Sequence, residues 1–215
     1  MTILTWPSSL PGPSSISGPA LKANTQSGGV SPFDGTEQTL ELPGAHWVAE
    51  LRFDRKRERD WRVLNAFLGQ LRGRAGRFYW GPSGFQPRRG NDVAAGSGSV
   101  PRLSGSGVTG STVGITGFAG NAGTYAFHTG DWFSFADITG RVVLHQVTAD
   151  VAASSAVLSV PITPALRRPT VDGTAIELYA YTAIWRLQQD VVMPDFIPGN
   201  GPLASFTIPI EEAIW

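Results

Sequence analysis

Cysteine is missing altogether from the 215 residues. Disulfides and thiolate metal sites are therefore excluded, and the chain is compatible with a reducing cytoplasm. Lysine is almost missing: Lys22 and Lys56 are the only two, and neither stands in the G-x-x-x-x-G-K-[ST] order that a phosphate-binding loop needs. Net charge of either sign is lacking as well, since 17 basic and 17 acidic residues cancel. Nothing in that balance points to nucleic acid, and sequence-specific binding of it is not expected. No apolar run approaches the roughly 20 residues that cross a bilayer, so no membrane partner is expected. Met1 leads into Trp6-Pro7 and a Pro/Ser run with neither a charged start nor an apolar core. This predicts no signal peptide and a product made in the cytoplasm.

Glycine (26) and proline (16) are plentiful, alongside 7 Trp and 11 Phe. A hydrophobic content of 41% is that of a folded chain, and only 16% of residues are charged. That combination favours short strands joined by many turns over long solvated helices.

Along the chain, residues 1–37 read as an extended Pro/Ser/Gly-rich arm with room for one short strand, held by docking onto another surface or else left as a loose terminus. Gln38-Thr39-Leu40-Glu41-Leu42 then alternates, Pro43-Gly44 gives a turn, and Trp47-Val48-Ala49-Glu50-Leu51-Arg52-Phe53 alternates again. The pattern predicts a half-buried hairpin. From 58 to 72 the period changes: Trp61, Leu64, Leu68 and Leu71 fall at helical spacing, with Val63 and Phe67 widening the stripe. Asp60 at the start and Gly73 past the end supply caps. Phe78-Tyr79-Trp80 reads as a strand stopped by Gly81-Pro82.

Residues 83–124 are rich in Gly, Ser and Val, with glycines at 105, 107, 110, 114, 117, 120 and 123. Short strands at spacings of about ten residues follow, from 131 to 179, and suggest a small antiparallel barrel. Ala183-Ile184-Trp185-Arg186-Leu187 and Ala204-Ser205-Phe206-Thr207-Ile208 alternate near the end. The expected division is an arm at 1–37, one β domain built from 38–85 and 181–215 around a helix at 58–72, and a Gly-rich all-β domain inserted at 86–180.

Two stretches resemble siphophage distal tail proteins and related baseplate hub domains. In 47–82, Asp60-Trp61-Arg62 opens the helix, Leu71-Arg72-Gly73 closes it, and Phe78-Tyr79-Trp80-Gly81-Pro82 follows. Later come Gly130-Asp131-Trp132-Phe133, Leu144-His145-Gln146-Val147-Thr148-Ala149-Asp150 and Pro164-Ala165-Leu166-Arg167-Arg168. Asp172-Gly173-Thr174 and a close near Phe206-Thr207-Ile208-Pro209-Ile210-Glu211-Glu212-Ala213 complete the order. The segment 88–123 and the Pro/Ser arm have no counterpart. The resemblance implies a belt-like β-barrel with one flanking helix; with the inserted or second small antiparallel β-barrel read from the strand spacing, the expected fold is mainly β. It also implies a virion protein at the tail tip, forming a homo-oligomeric ring of six copies. Such a ring joins the tail tube protein to the hub and tip proteins, near the tape measure protein.

Catalytic chemistry has little to stand on. His46, His128 and His145 are the only histidines; His145 lies in a strand pattern, where an ordinary hydrogen-bonded or surface histidine is a better account than a base or ligand. His128 and Asp131 are poorly spaced for a metal without thiolates or H-E-x-x-H. No G-x-S-x-G elbow occurs. Glu211 and Glu212 are adjacent on a strand and face opposite ways, so they do not form a converging glycosidase pair. The expectation is therefore no enzyme, no cofactor and no metal. A cell-wall hydrolase is the least supported reading.

Two non-catalytic sites stand out. Nine of the 17 positive charges lie within residues 52–77. Arg52, Arg55, Lys56, Arg57, Arg59 and Arg62 are the candidate subunit-interface residues, since guanidinium forks suit carboxylates of a neighbouring subunit. The plainer account is a solvated face balanced by Asp54, Glu58 and Asp60. Trp132, Phe133 and Phe135 carry the alternative function, a carbohydrate-binding module of the tail tip that recognises host glycans by ring stacking. Alternation places Phe133 and Phe135 on one face and Trp132 on the other, so at least one set is expected in the core.

Overall fold

The computed structural model describes residues 2–9, 12–82, 100–118, 125–153, 156–190, 195–197 and 203–214. The glycine positions 120 and 123 and the whole of 83–99 lie outside them. The chain begins with β1 (Leu4–Thr5), β2 (Ser15–Lys22), β3 (Thr25–Val30) and β4 (Glu37–Glu41). β5 (His46–Arg57) runs directly into α1 (Glu58–Leu71), and a short turn of 3-10 helix (Gly73–Ala75) leads to β6 (Phe78–Trp80). The middle holds β7 (Arg102–Ser104), β8 (Gly110–Thr116), β9 (Tyr125–Phe127), β10 (Trp132–Ala136) and β11 (Val142–Val147). It continues with β12 (Val151–Ala152), β13 (Leu158–Leu166) and β14 (Ile176–Glu177). β15 (Ala183–Leu187), β16 (Asp195–Ile197) and β17 (Leu203–Glu212) end it. The protein is thus mainly β, with one α-helix among the described residues. That helix is not long and apolar enough to cross a membrane.

Two compact units result, Met1–Phe78 with Trp185–Trp215, and Tyr79–Ile184. The first is built on a seven-stranded sheet in the order β1-β6-β15-β17-β5-β2, with β16 added on β17. The alternation of β5 sends Trp47, Ala49, Leu51 and Phe53 inward, opposite Ile208 and Ile210 of β17. α1 covers this face with Leu64, Phe67 and Leu71. Each such buried side chain contributes about 1.5–3 kcal/mol relative to exposure. The helical stripe is thus shifted from the expected one: Phe67 is buried, Leu68 only half-buried, and Val63 is 39% exposed. Aromatic rings decide the shift. Phe67 meets Phe78 edge-on at 5.7 Å and Trp6 at 5.3 Å, while Trp61 tilts against Phe206 at 5.0 Å.

Trp6 is the surprise of this core. The residues before 37 are not merely an arm: Leu4 donates its N–H to the Arg77 carbonyl, which seats Trp6 among Phe53, Phe67 and Phe78. β2 then pairs antiparallel along β5. The helix caps also differ from expectation. Arg57, not Asp60, precedes the first turn and makes no side-chain cap bond, although Glu58 and Asp60 favour the helix dipole from within that turn. At the other end Arg72 itself takes the left-handed conformation before Gly73. Gly76 passes so close to the helix end that a Cβ there would stand 2.2 Å from the Leu71 carbonyl oxygen, and only glycine fits.

The expected hairpin of 38–53 does not form. β4 pairs instead with β3, which precedes it, and β5 takes β2 and β17 as neighbours. The reason is burial: β5 has an apolar face wide enough to join a sheet, whereas β3 and β4 offer none. All of β3 is exposed, and so are residues 32–40.

The second unit is a nearly closed six-stranded antiparallel barrel, in the order β14-β10-β11-β13-β8-β7. Its two ends meet through the main chain. Leu103 donates to the Thr174 carbonyl, Gly173 to that of Leu103 and Ile176 to that of Pro101, all within 3.0 Å. Arg102 bridges Ala175 between them. Val113, Ile115, Phe127, Phe133, Val160 and Ile162 are among the side chains filling the interior, as small barrels require. β9 and β12 form a separate two-stranded piece.

Candidate functional site

The basic face of the first unit is made by a β-bulge. β5 and β17 stay in register from Val48 to Phe53, then shift: Phe206 faces Phe53 while Ala204 faces Lys56. Asp54 and Arg55 together stand opposite Ser205, whose hydroxyl accepts the Arg55 N–H at 3.1 Å. Arg55 holds φ at 50° to make the bend. Without the extra residue, strict alternation would turn Arg55 to the inner face, where Leu51 and Phe53 lie; with it, Arg55 and Arg57 are both exposed. Lys56 folds down between them, its Nζ on the Gly12 carbonyl at 3.1 Å and 5.8 Å over the Phe53 ring.

The remaining basic residues continue the face onto the helix. Arg52 donates to Asp54 at 2.9 Å, Arg59 stands 3.4 Å from Asp60, and Arg62 pairs with Glu58 one turn back. These pairs are exposed, so each is worth only about 0–1 kcal/mol. Among the described residues, neither Arg55 nor Arg57 has a carboxylate partner. The six candidate interface residues thus lie on one continuous stretch, with a surplus of positive charge at the bulge.

A second cluster, not singled out by sequence as a set, sits in the same unit. Glu211 is 6% exposed and receives both Nε and Nη2 of Arg186, its register partner on β15, at 2.6 Å. Arg74 approaches to 3.9 Å and His46 Nε2 to 3.8 Å. Arg77 is buried nearby and donates from one nitrogen to the carbonyls of Arg74, Ala75 and Gly76. Burial, then the Arg186 charge, lowers its pKa. The arrangement ties the 3-10 turn after α1 to the C-terminal strand. Glu212, on the opposite face, accepts the Trp47 N–H at 3.3 Å. The two adjacent glutamates diverge, and one of them is neutralised by a guanidinium.

In the second unit the glycan candidates need correcting. Trp132 is 5% exposed, Phe133 0% and Phe135 4%, so none offers a ring face to a sugar. Phe133 and Phe135 are buried because their face of β10 turns into the packed barrel interior, and Trp132, on the other face, is buried as well. His145 on β11 is buried too, stacked on Phe135 at 5.3 Å, and donates from Nδ1 to the Pro164 carbonyl at 2.9 Å. Burial first, and the Arg167 charge second, push its pKa down to about 3. His128 lies 3.7 Å from Asp150, whose other oxygen takes the Thr129 N–H and hydroxyl. Asp131 accepts the His128 N–H at 2.8 Å. These carboxylates organise a turn, and among the described residues no cluster of three or more metal-type ligands occurs.

Neither a comparison with protein-family models nor one with curated proteins finds a match for this chain. The feature that sequence reasoning missed is the β3–β4 hairpin. Its signal was present in Gly28-Gly29 and Pro32-Phe33-Asp34-Gly35, turn chemistry between polar strands, but composition alone reads that stretch as an arm.

Proposed function

We propose that this chain is a non-enzymatic structural protein of a bacteriophage virion. It forms a ring at the distal end of a long non-contractile tail and joins the tail tube to the hub and tip proteins. The observation that carries the reading is the element order of the first unit. A long strand passes into a single helix closed by Leu71-Arg72-Gly73, and an aromatic strand, Phe78–Trp80, follows. The helix and the aromatic strand keep the order through which the chain resembles distal tail proteins, while the hairpin expected before the helix is replaced by β5 paired with β2 and β17. The bulged basic face adds support, because uncompensated arginines on a neutral chain suit contacts that fix the register of neighbouring subunits. The glycan-binding alternative has lost its carriers with the burial of Trp132, Phe133 and Phe135.

Native mass spectrometry of the purified chain, with cryo-EM of tails, tests the reading. The expected species is a closed cyclic oligomer, with six copies of the 22.9 kDa chain favoured. Tails in which the protein is absent, or present as a lone peripheral domain, would contradict it.

A further inference from the structure

The hairpin of β3 and β4 is a ribbon with both faces in solvent. Residues 25–30 and 32–40 are all exposed, Val30 by 63%, Leu40 by 60% and Phe33 at the tip by 97%. A two-stranded hairpin standing alone is marginal in water, and a phenylalanine displayed on its tip gains nothing there. The tip is nevertheless well built. Ser31 and Thr36 pair across it, Gly35 returns to the Ser31 carbonyl, and Asp34 takes both the N–H and the hydroxyl of Thr36. At the base, Leu42 donates to the Asn24 carbonyl and the Asn24 side chain to that of Pro43. The chain thus holds an apolar residue forward on an ordered stem.

Charge says what the stem meets. Residues 25–41 contain Asp34, Glu37 and Glu41 and no basic residue, whereas 52–62 contain six basic against three acidic residues. The two stretches carry opposite net charges of equal size. They also lie at opposite ends of β5. The hairpin joins its His46 end through residues 42–45, and the bulge and helix lie at its Arg57 end. Twelve residues of strand separate those ends by about 36 Å, at about 3.3 Å per residue. Complementary patches at the two ends of one strand do not meet within a copy. They define a head-to-tail contact between copies, the kind that closes into a ring when the rotation allows.

We infer that the hairpin 25–41 docks on the basic face around Arg55 and Arg57 of a second copy of this chain, with Phe33 as the apolar anchor. The inference rests on the ring reading and supplies its contact.

The test uses full-length chains carrying Asp34→Arg with Glu37→Arg, or Arg55→Glu with Arg57→Glu, first checked for native melting. Each alone presents like charges at every contact, so sedimentation velocity and native mass spectrometry should find monomers. Mixed in equal amounts, the two are complementary at every contact, and assembly should return with alternating composition. Phe33→Ala should weaken assembly at least about tenfold, as loss of an aromatic anchor does. If the hairpin variant assembles as the unaltered chain does, this contact is overturned while the ring reading stands. If the unaltered chain stays monomeric yet enters tails, and the hairpin variant does not, the hairpin binds another tail protein and the inference also fails. Absence of the unaltered chain from tails would overturn the ring reading itself.

Discussion

Arg55 holds a backbone conformation that costs an ordinary residue about 1–2 kcal/mol and glycine almost nothing. Arg55→Gly should therefore raise the unfolding free energy by about 1 kcal/mol in urea titrations, even as it removes a charge from the basic face. Ser205→Ala should act the other way, costing about 1 kcal/mol by taking the acceptor from the Arg55 N–H. If both changes leave stability untouched, the bulge is not strained in the way described. His145 carries a pH prediction. Its folded pKa, about 3, lies below the ordinary 6.5, so the unfolded chain takes up a proton that the folded chain refuses. Its contribution is complete above about pH 6.5 and declines as pH falls towards 3, by at most about 1.4 kcal/mol per unit. Unfolding measured at pH 7 and pH 5 should differ, and His145→Asn should flatten the difference. Asp137, whose pKa is lowered from 3.8, acts only as pH falls below about 4 and so adds little between pH 7 and pH 5.

At the scale of elements, the helix stripe and the hairpin show how neighbours override local pattern. Phe67 lies between Trp6 and Phe78, so Phe67→Ala should cost about 3–5 kcal/mol, as aromatic truncations in cores do. Leu68, half-buried, should cost clearly less. Equal losses at the two positions would mean that the helix is rotated from the orientation described. The hairpin behaves as an appendage of its own sheet. Replacing residues 26–40 by a short Gly linker should leave the melting temperature within about 2 °C, since of these residues only Ser31 is even half-buried. A larger fall would show that the ribbon braces the first unit.

For the whole molecule, the two units divide the work in a way that fits assembly. The second unit closes a small barrel around packed side chains, Phe133 and Phe135 of the supposed glycan platform among them. The first unit carries Arg55 and Arg57, which have no carboxylate partner among the described residues, together with the bulge and the ribbon. Scrambling the exposed apolar residues of the second unit, such as Ile138 (58% exposed) and Tyr179 (58%), to Ser should leave ring formation intact. The charge reversal at Arg55 and Arg57 should abolish it. Native mass spectrometry of both variants reads the outcome directly, and the opposite pattern would move the contact surface to the second unit.

The sequence by itself determined the elements whose signal is local. The alternation of 47–53, the helical stripe from 58 and the aromatic strand at 78–80 each follow from periodicity, because each buries one face against a layer. The mainly β class follows from Gly, Pro and short apolar runs in the same way. What β4 would pair with was decided only in three dimensions, since backbone pairing goes to whichever strand shares a register, and polar β3 was adjacent in the fold without any apolar mark. The seat of Trp6 depended on partners 47 to 72 positions away. The burial of Phe133 and Phe135 depended on a barrel that closes through residues 101–103 and 173–176. The basic residues were legible as a run, but which of them face solvent was set by one extra residue opposite Ser205. A bulge reverses alternation beyond it, and no periodic pattern announces where that reversal begins.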